Sequence, residues 1–443
     1  KIWKKIKIKR VRVPDILCLD TGQRFESRGK TKVEISMSHS LKDPRRAWDA
    51  GLRDDDYVSI IVFEQTDSPV KFKRVSPVHF ISVKDMRVAF TDKQISITKP
   101  KGVEEGSEIR VQWIGAPANQ QSVITAVNTD KICLTPTIGK RQTIQLSRSK
   151  GSIVLKPQVK EGETVEANQI VASVVPVYTI LTCPTAVDEA YFIGKLTSVN
   201  LSERYAAAKA LRYRGYTTAA STLEARINDI DEDIYVQLEA AAALAAYNVR
   251  KGWEFMEGKL HSSSLTVPLE TQLETVIVAS EIPNERSERV LIDVLKDTGR
   301  NDELRAGAAW ALGQFATPSS ASALIDTFNL SPLEVKIEAA RALLRIAEPQ
   351  SPYLVDLLKT GDPSKRDGIS WALARTGKFN PASIVAGADD NLRRWISYIV
   401  GYGKEKFVQA DVESICKADP EVYFAASVLW QILSSWVNDL KEY

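Results

Sequence analysis

Cysteine, histidine and methionine are scarce in this chain: four, three and three in 443 residues. Cys18, Cys133, Cys183 and Cys416 lie far apart, with no CxxC pair and no His at metal-ligand spacing, so neither a disulfide framework nor a metal site is expected. They read as reduced thiols of a cytoplasmic protein. His39, His79 and His261 are isolated and read as structural or surface residues. Long apolar runs are missing too. The longest, from Ile170 to Leu181, contains Ser173 and Pro176 and is shorter than the roughly 18 residues of a membrane helix. The opening KIWKKIKIKR carries charge where a secretory signal is apolar, so no signal peptide is expected.

Motifs that carry chemistry are also lacking. No GxGxxG follows a strand, and neither HExxH nor GxSxG occurs. Gly139-Lys140 has no Gly five residues before it and is followed by Arg141 rather than Ser or Thr, so it is not a phosphate-binding loop. Asp54-Asp55-Asp56 reads as a solvated loop, since a cation site needs ligands from several elements. Asp229, Asp231, Glu232 and Asp233 read as the exposed start of a helix. No catalytic residue, cofactor or membrane association is expected, and nothing argues for an enzyme.

What is present is a long chain of two characters. The length exceeds what one hydrophobic core supports, so two or more domains are expected. The net charge of +3 conceals a split. Residues 1–180 hold 31 Lys+Arg and 20 Asp+Glu, net +11; the remainder holds 28 and 36, net −8. Such a split implies different partners for the two halves, or docking of one on the other.

The second half repeats itself. LRAGAAWALGQF from Leu304, VKIEAARALLRI from Val335, KRDGISWALART from Lys365, LRRWISYIVGYG from Leu392 and VYFAASVLWQIL from Val422 start 31, 30, 27 and 30 residues apart. Leu211 and Leu244 match Leu312 in two earlier copies, and a further second helix is predicted near Leu273 to Ala279, for about eight repeats. Leu304, Ala308, Ala311, Leu312 and Phe315 fall within about 100° of a helical wheel. Asp302, Asp390 and Asp419 stand where N-caps are needed. One helix pair cannot bury its own apolar stripe, so the pairs must stack. The pattern Asp302, Arg305, Ala308, Ala311, Leu312, Gly313 resembles the short HEAT-like repeat of phycobilisome lyases, which recurs in many scaffold proteins. The resemblance covers roughly 240 residues and implies an α-solenoid but very little about activity.

Aligning the copies exposes two columns. One is basic: Arg204, Arg305, Lys336, Arg366 and Arg393, with Gln237 as the exception. It reads either as a brace to the next repeat or as a stripe for phosphates or an acidic peptide. The other holds Trp310, Arg341, Trp371 and Tyr398, about 140° from the centre of the apolar stripe. Planar aromatics and Arg are enriched at binding hot spots, so this column is the candidate partner-binding surface; packing against a neighbouring repeat is its other reading. Trp430 falls in the Leu312 column and is expected in the core.

Residues 1–180 alternate short β-branched runs with turns, at 32–37, 57–65, 70–75, 94–98, 108–113, 122–127, 131–134, 143–146 and 152–156, as an all-β barrel or sandwich region would. A helical insertion is expected near Asp43-Pro44. The stretch from Lys156-Pro157 through Gly162 to Val171 looks like half of a barrel-sandwich hybrid, the fold of biotinyl and lipoyl domains. No Lys stands at a hairpin tip, so no swinging cofactor is expected. Lys4, Lys5, Lys7, Lys9, Arg10 and Arg12 make the first strand strongly basic, either to protect a sheet edge or to contact a polyanion.

The expected fold is therefore α+β and multidomain. A basic β-rich region spans 1–180, split near 90–100 if it is two domains. A linker spans 181–200, and an α-solenoid of HEAT-like repeats spans 201–443. The expected function is a non-catalytic interaction subunit whose solenoid binds a protein, with the β region on another subunit or on nucleic acid. The alternative is a nucleic-acid-binding subunit of a processing complex. The resemblance also admits a bilin-handling lyase, which lacks an evident Cys or His, and a HEAT-like glycosylase, which would need a basic groove on an acidic array.

Overall fold

The computed structural model describes residues 11–66, 72–99, 108–148, 152–182, 184–261, 267–330, 332–360, 362–403 and 406–440. The chain forms two compact units, Lys1–Val236 and Gln237–Tyr443.

The first unit is built mostly from short strands. Arg24–Lys30 pairs in parallel with Tyr57–Gln65, from Phe25 opposite Tyr57 to Lys30 opposite Val62. His79–Ser82 adds to the same sheet antiparallel. Ile35–Ser40 lies against Glu108–Trp113, and Ser122–Val127, Lys131–Pro136 and Gln142–Gln145 form an antiparallel meander. One cluster of buried residues runs from Ile35 to Val175 and takes in every one of these strands except Arg24–Lys30. At its centre Trp48 meets Trp113 edge to face at 4.8 Å, and the Trp113 indole donates to the Met86 carbonyl at 2.9 Å. Gly162 takes the left-handed conformation (φ +84°) that a turn before Thr164–Val165 requires. The helical insertion expected near Asp43-Pro44 is a single 3-10 turn, Pro44–Arg46, with Asp43 as its cap.

Helix α1 (Val83–Thr91) follows the His79–Ser82 strand. Helix α2 (Glu189–Lys195) occupies part of the expected linker, and α3 (Leu201–Arg214) and α4 (Ala220–Asn228) complete this unit. A polar network holds α2 and α3 to the β layer. Arg24 and Asp56 form an ion pair with side chains 3% and 0% exposed. Arg24 also donates to Ser202 at 3.0 Å, and Ser202 donates to the Gly51 carbonyl at 2.8 Å. Glu203 accepts from Arg53 at 2.8 Å and from Lys195 at 2.9 Å. Burial favours the neutral Glu203 carboxyl, but hydrogen bonds from Arg53, Ser198 and Lys195 outweigh it and hold the group down at about 2.

Helices continue without a strand among the described residues: α5 (Ile234–Ala246), α6 (Arg250–His261), α7 (Leu269–Ser280), α8 (Glu285–Lys296), α9 (Asp302–Leu312), α10 (Pro318–Leu330), α11 (Leu333–Ile346), α12 (Ser351–Thr360), α13 (Arg366–Leu373), α14 (Ala382–Val385), α15 (Asp390–Gly403), α16 (Gln409–Ala418) and α17 (Pro420–Leu440). The odd-numbered members from α3 are the second helices of the repeats. Ala308, Ala311, Ala339, Ala342 and Ala372 are fully buried between helices, where a larger side chain would push the layers apart. Close approach also excludes a side chain at Gly401, where a Cβ would lie 2.6 Å from the Ala426 carbonyl oxygen. No described helix is long and apolar enough to cross a membrane.

Candidate functional site

The second helices bring the basic column together as a series of forks. Arg204 grips Glu232 through Nε and Nη2 at 2.8–3.1 Å and also donates to the Ser198 carbonyl. Arg305 donates to the Leu295 carbonyl at 3.0 Å and to Asp302 at 3.2 Å. Arg366 reaches Asp389 at 3.1 Å and Asn391 at 3.0 Å. Arg393 reaches Asp419 at 2.9 and 3.1 Å and Glu421 at 3.0 Å. Lys336 has no fork to offer, and its ammonium lies over the Phe328 ring. Arg305 and Arg366 are only 5% and 4% exposed, which leaves them almost no surface for a ligand.

Several of these carboxylates also serve as helix caps. Asp389 accepts the Leu392 N–H at 2.7 Å, and Asp419 accepts the Val422 N–H at 3.0 Å. Each cap is thereby pinned by an Arg of the preceding second helix. For α9 the capping side chain is Asn301, which accepts the Glu303 N–H at 2.8 Å; for α15 it is Asp389 rather than Asp390. Each lies one residue before the position the repeat register suggested.

The aromatic column lies on the same helices, at another face. Trp310, Trp371 and Tyr398 are half-buried, and Arg341 is exposed and paired with Glu338. The rings form a band with neighbours that the alignment did not single out. Trp371 stacks on Phe328 (6.5 Å, 27°) and lies 5.8 Å from Tyr402; Tyr402 stacks on Tyr398 (5.7 Å, 19°); Tyr398 meets Trp395 edge to face. The Arg375 guanidinium sits 4.9 Å from the Trp371 ring and 4.7 Å from the Tyr402 ring. Burial raises the Tyr398 phenol above its ordinary range, with Tyr402 adding to the effect and Arg375 opposing it. Arg345 donates to the Trp310 carbonyl at 2.7 Å, and its guanidinium lies where a Cβ on Gly313 would stand. Arg345, Arg375 and Tyr402 share one repeat position, four residues beyond the aromatic column, and that spacing was the available signal.

Trp430 is half-buried rather than enclosed, since α17 is the last described helix and no described helix covers its far flank. Lys4, Lys5, Lys7, Lys9 and Arg10 lie outside the described residues. Arg12 is exposed, and its backbone carbonyl runs against Gly51, whose φ of +78° no L side chain would take easily.

Residues 268–343 match the family of HEAT repeats. About half of the chain aligns with several solved structures. The complex of CpcE and CpcF of phycocyanin lyase from Nostoc sp. PCC7120 is 21% identical, with a TM-score of 0.26 over 55% of this chain and 95% of that one. A designed armadillo repeat protein is 15% identical, with a TM-score of 0.27 over 49% and 100%. Human deoxyhypusine hydroxylase in complex with glycerol is 18% identical, with a TM-score of 0.21 over 49% and 84%. No curated protein matches the chain. The carboxy-terminal half is a solenoid of HEAT-type repeats, a fold that generally serves as a protein-interaction scaffold.

Proposed function

We propose that this protein is a non-catalytic scaffold whose solenoid takes a protein partner on the face carrying Trp310, Arg341, Trp371 and Tyr398, while the basic β region contacts a second subunit or nucleic acid. The observation that carries this reading is the band from Phe328 through Trp371, Arg375, Tyr402 and Tyr398 to Trp395. Half-exposed rings held in fixed mutual geometry lose little entropy when covered, which is the usual make-up of a hot spot. The basic column acts as the brace that keeps the second helices, and so the band, in register. Its two buried arginines support that role over one in phosphate binding.

Affinity capture from cells with the full chain, with nuclease treatment as the control, tests the proposal. A protein captured after nuclease treatment and lost with Trp310→Ala plus Trp371→Ala supports it. Capture that depends on nucleic acid would instead favour the second reading, a nucleic-acid-binding subunit, which the net charge of +11 over residues 1–180 supports.

A further inference from the structure

The face that carries the aromatic band changes character along the array. Three repeat positions four residues apart define it: that of Trp310 and its neighbours on either side, which share one side of each second helix. Among the fifteen residues at these positions along α9, α11, α13, α15 and α17, with Gln314 and Arg375 just past a helix end, the charged ones are Arg341 (paired with Glu338), Arg345, Arg375 and Arg394 against the single carboxylate Asp367. This cationic face belongs to a half of the chain in which acids outnumber bases, 36 to 28 over residues 181–443. On α17 the same three positions are Phe424, Val428 and Ile432, which are 69%, 37% and 42% exposed. The apolar side chains therefore stand in water where the preceding second helix, α15, presents Arg394, Tyr398 and Tyr402.

A groove of about 490 Å³ runs between α15 and α17, with Arg394 and Ser397 on one wall and Phe424, Ala425 and Val428 on the other. Two acids also line this groove, Asp390 and Glu421, and Arg393 faces both, at 3.8 and 3.0 Å. Arg394 is exposed and makes no ion pair or hydrogen bond among the described residues, so its charge is open to a ligand. From these observations we infer that the face receives an acidic amphipathic segment of a partner protein. A carboxylate of that segment pairs with Arg394 and an apolar side chain lies against Phe424 and Val428, while further carboxylates run back over Arg375 and Arg341. This rests on the scaffold reading above and gives its partner a chemistry. A basic segment would meet four arginines. A second copy placed face to face would set those arginines against their own equivalents, and like charges across an interface are unfavourable. Exposed ion pairs contribute little by themselves, so the apolar stripe supplies the affinity and the arginines the selection by charge.

Fluorescein-labelled peptides (ELEA)3, (ESEA)3 and (KLKA)3, titrated against the full chain by anisotropy at physiological salt, provide the test. (ELEA)3 should bind at least about tenfold more tightly than the other two, since either the apolar or the acidic half of the recognition is missing in each. Arg394→Glu should weaken (ELEA)3 by about tenfold and improve (KLKA)3, and Arg394→Lys should retain most of the binding. Phe424→Ser should weaken (ELEA)3 without reversing the charge preference. Circular dichroism establishes that each variant is folded. Equal binding of the acidic and basic peptides, no binding of (ELEA)3, indifference to Arg394→Glu, or dimerisation abolished by Phe424→Ser would each overturn the inference. A cellular partner lost with Trp310→Ala but retained with Arg394→Glu would overturn it while leaving the scaffold reading intact.

Discussion

Arg393 closes a two-pronged fork on Asp419, with Nε to Oδ2 at 2.9 Å and Nη2 to Oδ1 at 3.1 Å, while the same carboxylate caps α17 through the Val422 N–H. One side chain thus ends the solvent exposure of a helix terminus and ties it to the preceding second helix. Its hydrogen bond from Arg393 holds the Asp419 carboxyl below its ordinary range, against a smaller opposing effect of burial.

Asp419→Ala should therefore cost more than a cap alone. Loss of an N-cap costs about 1 kcal/mol, and a partly exposed fork adds up to about 1 kcal/mol more. Arg393→Ala leaves the cap in place and should cost less. Urea denaturation of the two variants checks the order; a larger loss for Arg393→Ala would separate the fork from the cap.

Acid should loosen the β region first through His79. Its side chain is fully buried, and Nε2 accepts the Ile170 N–H at 3.0 Å. Burial, only partly opposed by a backbone hydrogen bond, lowers its pKa from 6.5 to about 4. The unfolded chain therefore binds a proton that the folded chain refuses between those values. Stability should fall as pH drops from about 6.5 to 4, by about 3 kcal/mol at full effect. Glu203 acts at lower pH: its depressed pKa contributes stability above about 4.5 that is lost as pH falls towards 2. Thermal melts of wild type and His79→Leu between pH 7 and 4 should converge at the acid end. Parallel pH profiles would show that His79 is not the titrating group.

The repeat half was legible because its stripe has a helical period and its alanines recur in register, so the second helix expected near Leu273 to Ala279 is α7. Strands 57–65, 108–113 and 122–127 stand at the expected bounds because each is rich in β-branched or aromatic residues, although only EIRVQW alternates apolar with polar. Arg24–Lys30 is not legible as a strand because RFESRGK has little apolar alternation; its Arg24 is buried only because Asp56 receives it. Helix α1 was hidden by the β-branched run that leads into it. The aromatic column could be read from register, but Phe328 could not. It sits on a first helix, and only the packing of α10 against α13 brings it to Trp371.

If residues 1–180 bind a polyanion, the affinity must fall steeply with salt, because each neutralised phosphate releases condensed counterions. Replacing Lys4, Lys5, Lys7 and Lys9 by Gln in the full chain should weaken binding to duplex DNA or RNA. The salt slope should flatten by about one for each phosphate that is no longer neutralised. Binding that is indifferent to salt, or unchanged in this variant, would remove residues 4–9 from any nucleic-acid interface.

The last prediction separates surface from core on the second helices. Leu343 is fully buried on α11, so Leu343→Ala should cost about 2–5 kcal/mol of stability. Trp310 is half-buried and its backbone carbonyl, not its ring, takes the Arg345 hydrogen bond, so Trp310→Ala should cost under about 1.5 kcal/mol. Trp371→Ala should fall between the two, because its ring packs on Phe328 and under Arg375. Trp430→Ala should also be intermediate, since that ring is half-buried. Partner capture should follow a different order, with Trp310→Ala and Trp371→Ala each weakening binding by about 2 kcal/mol and Leu343→Ala acting only through folding. Thermal unfolding and capture measured on the same four variants would decide. If Trp310→Ala unfolds the array as readily as Leu343→Ala, the aromatic column is part of the core and the partner must sit on another face.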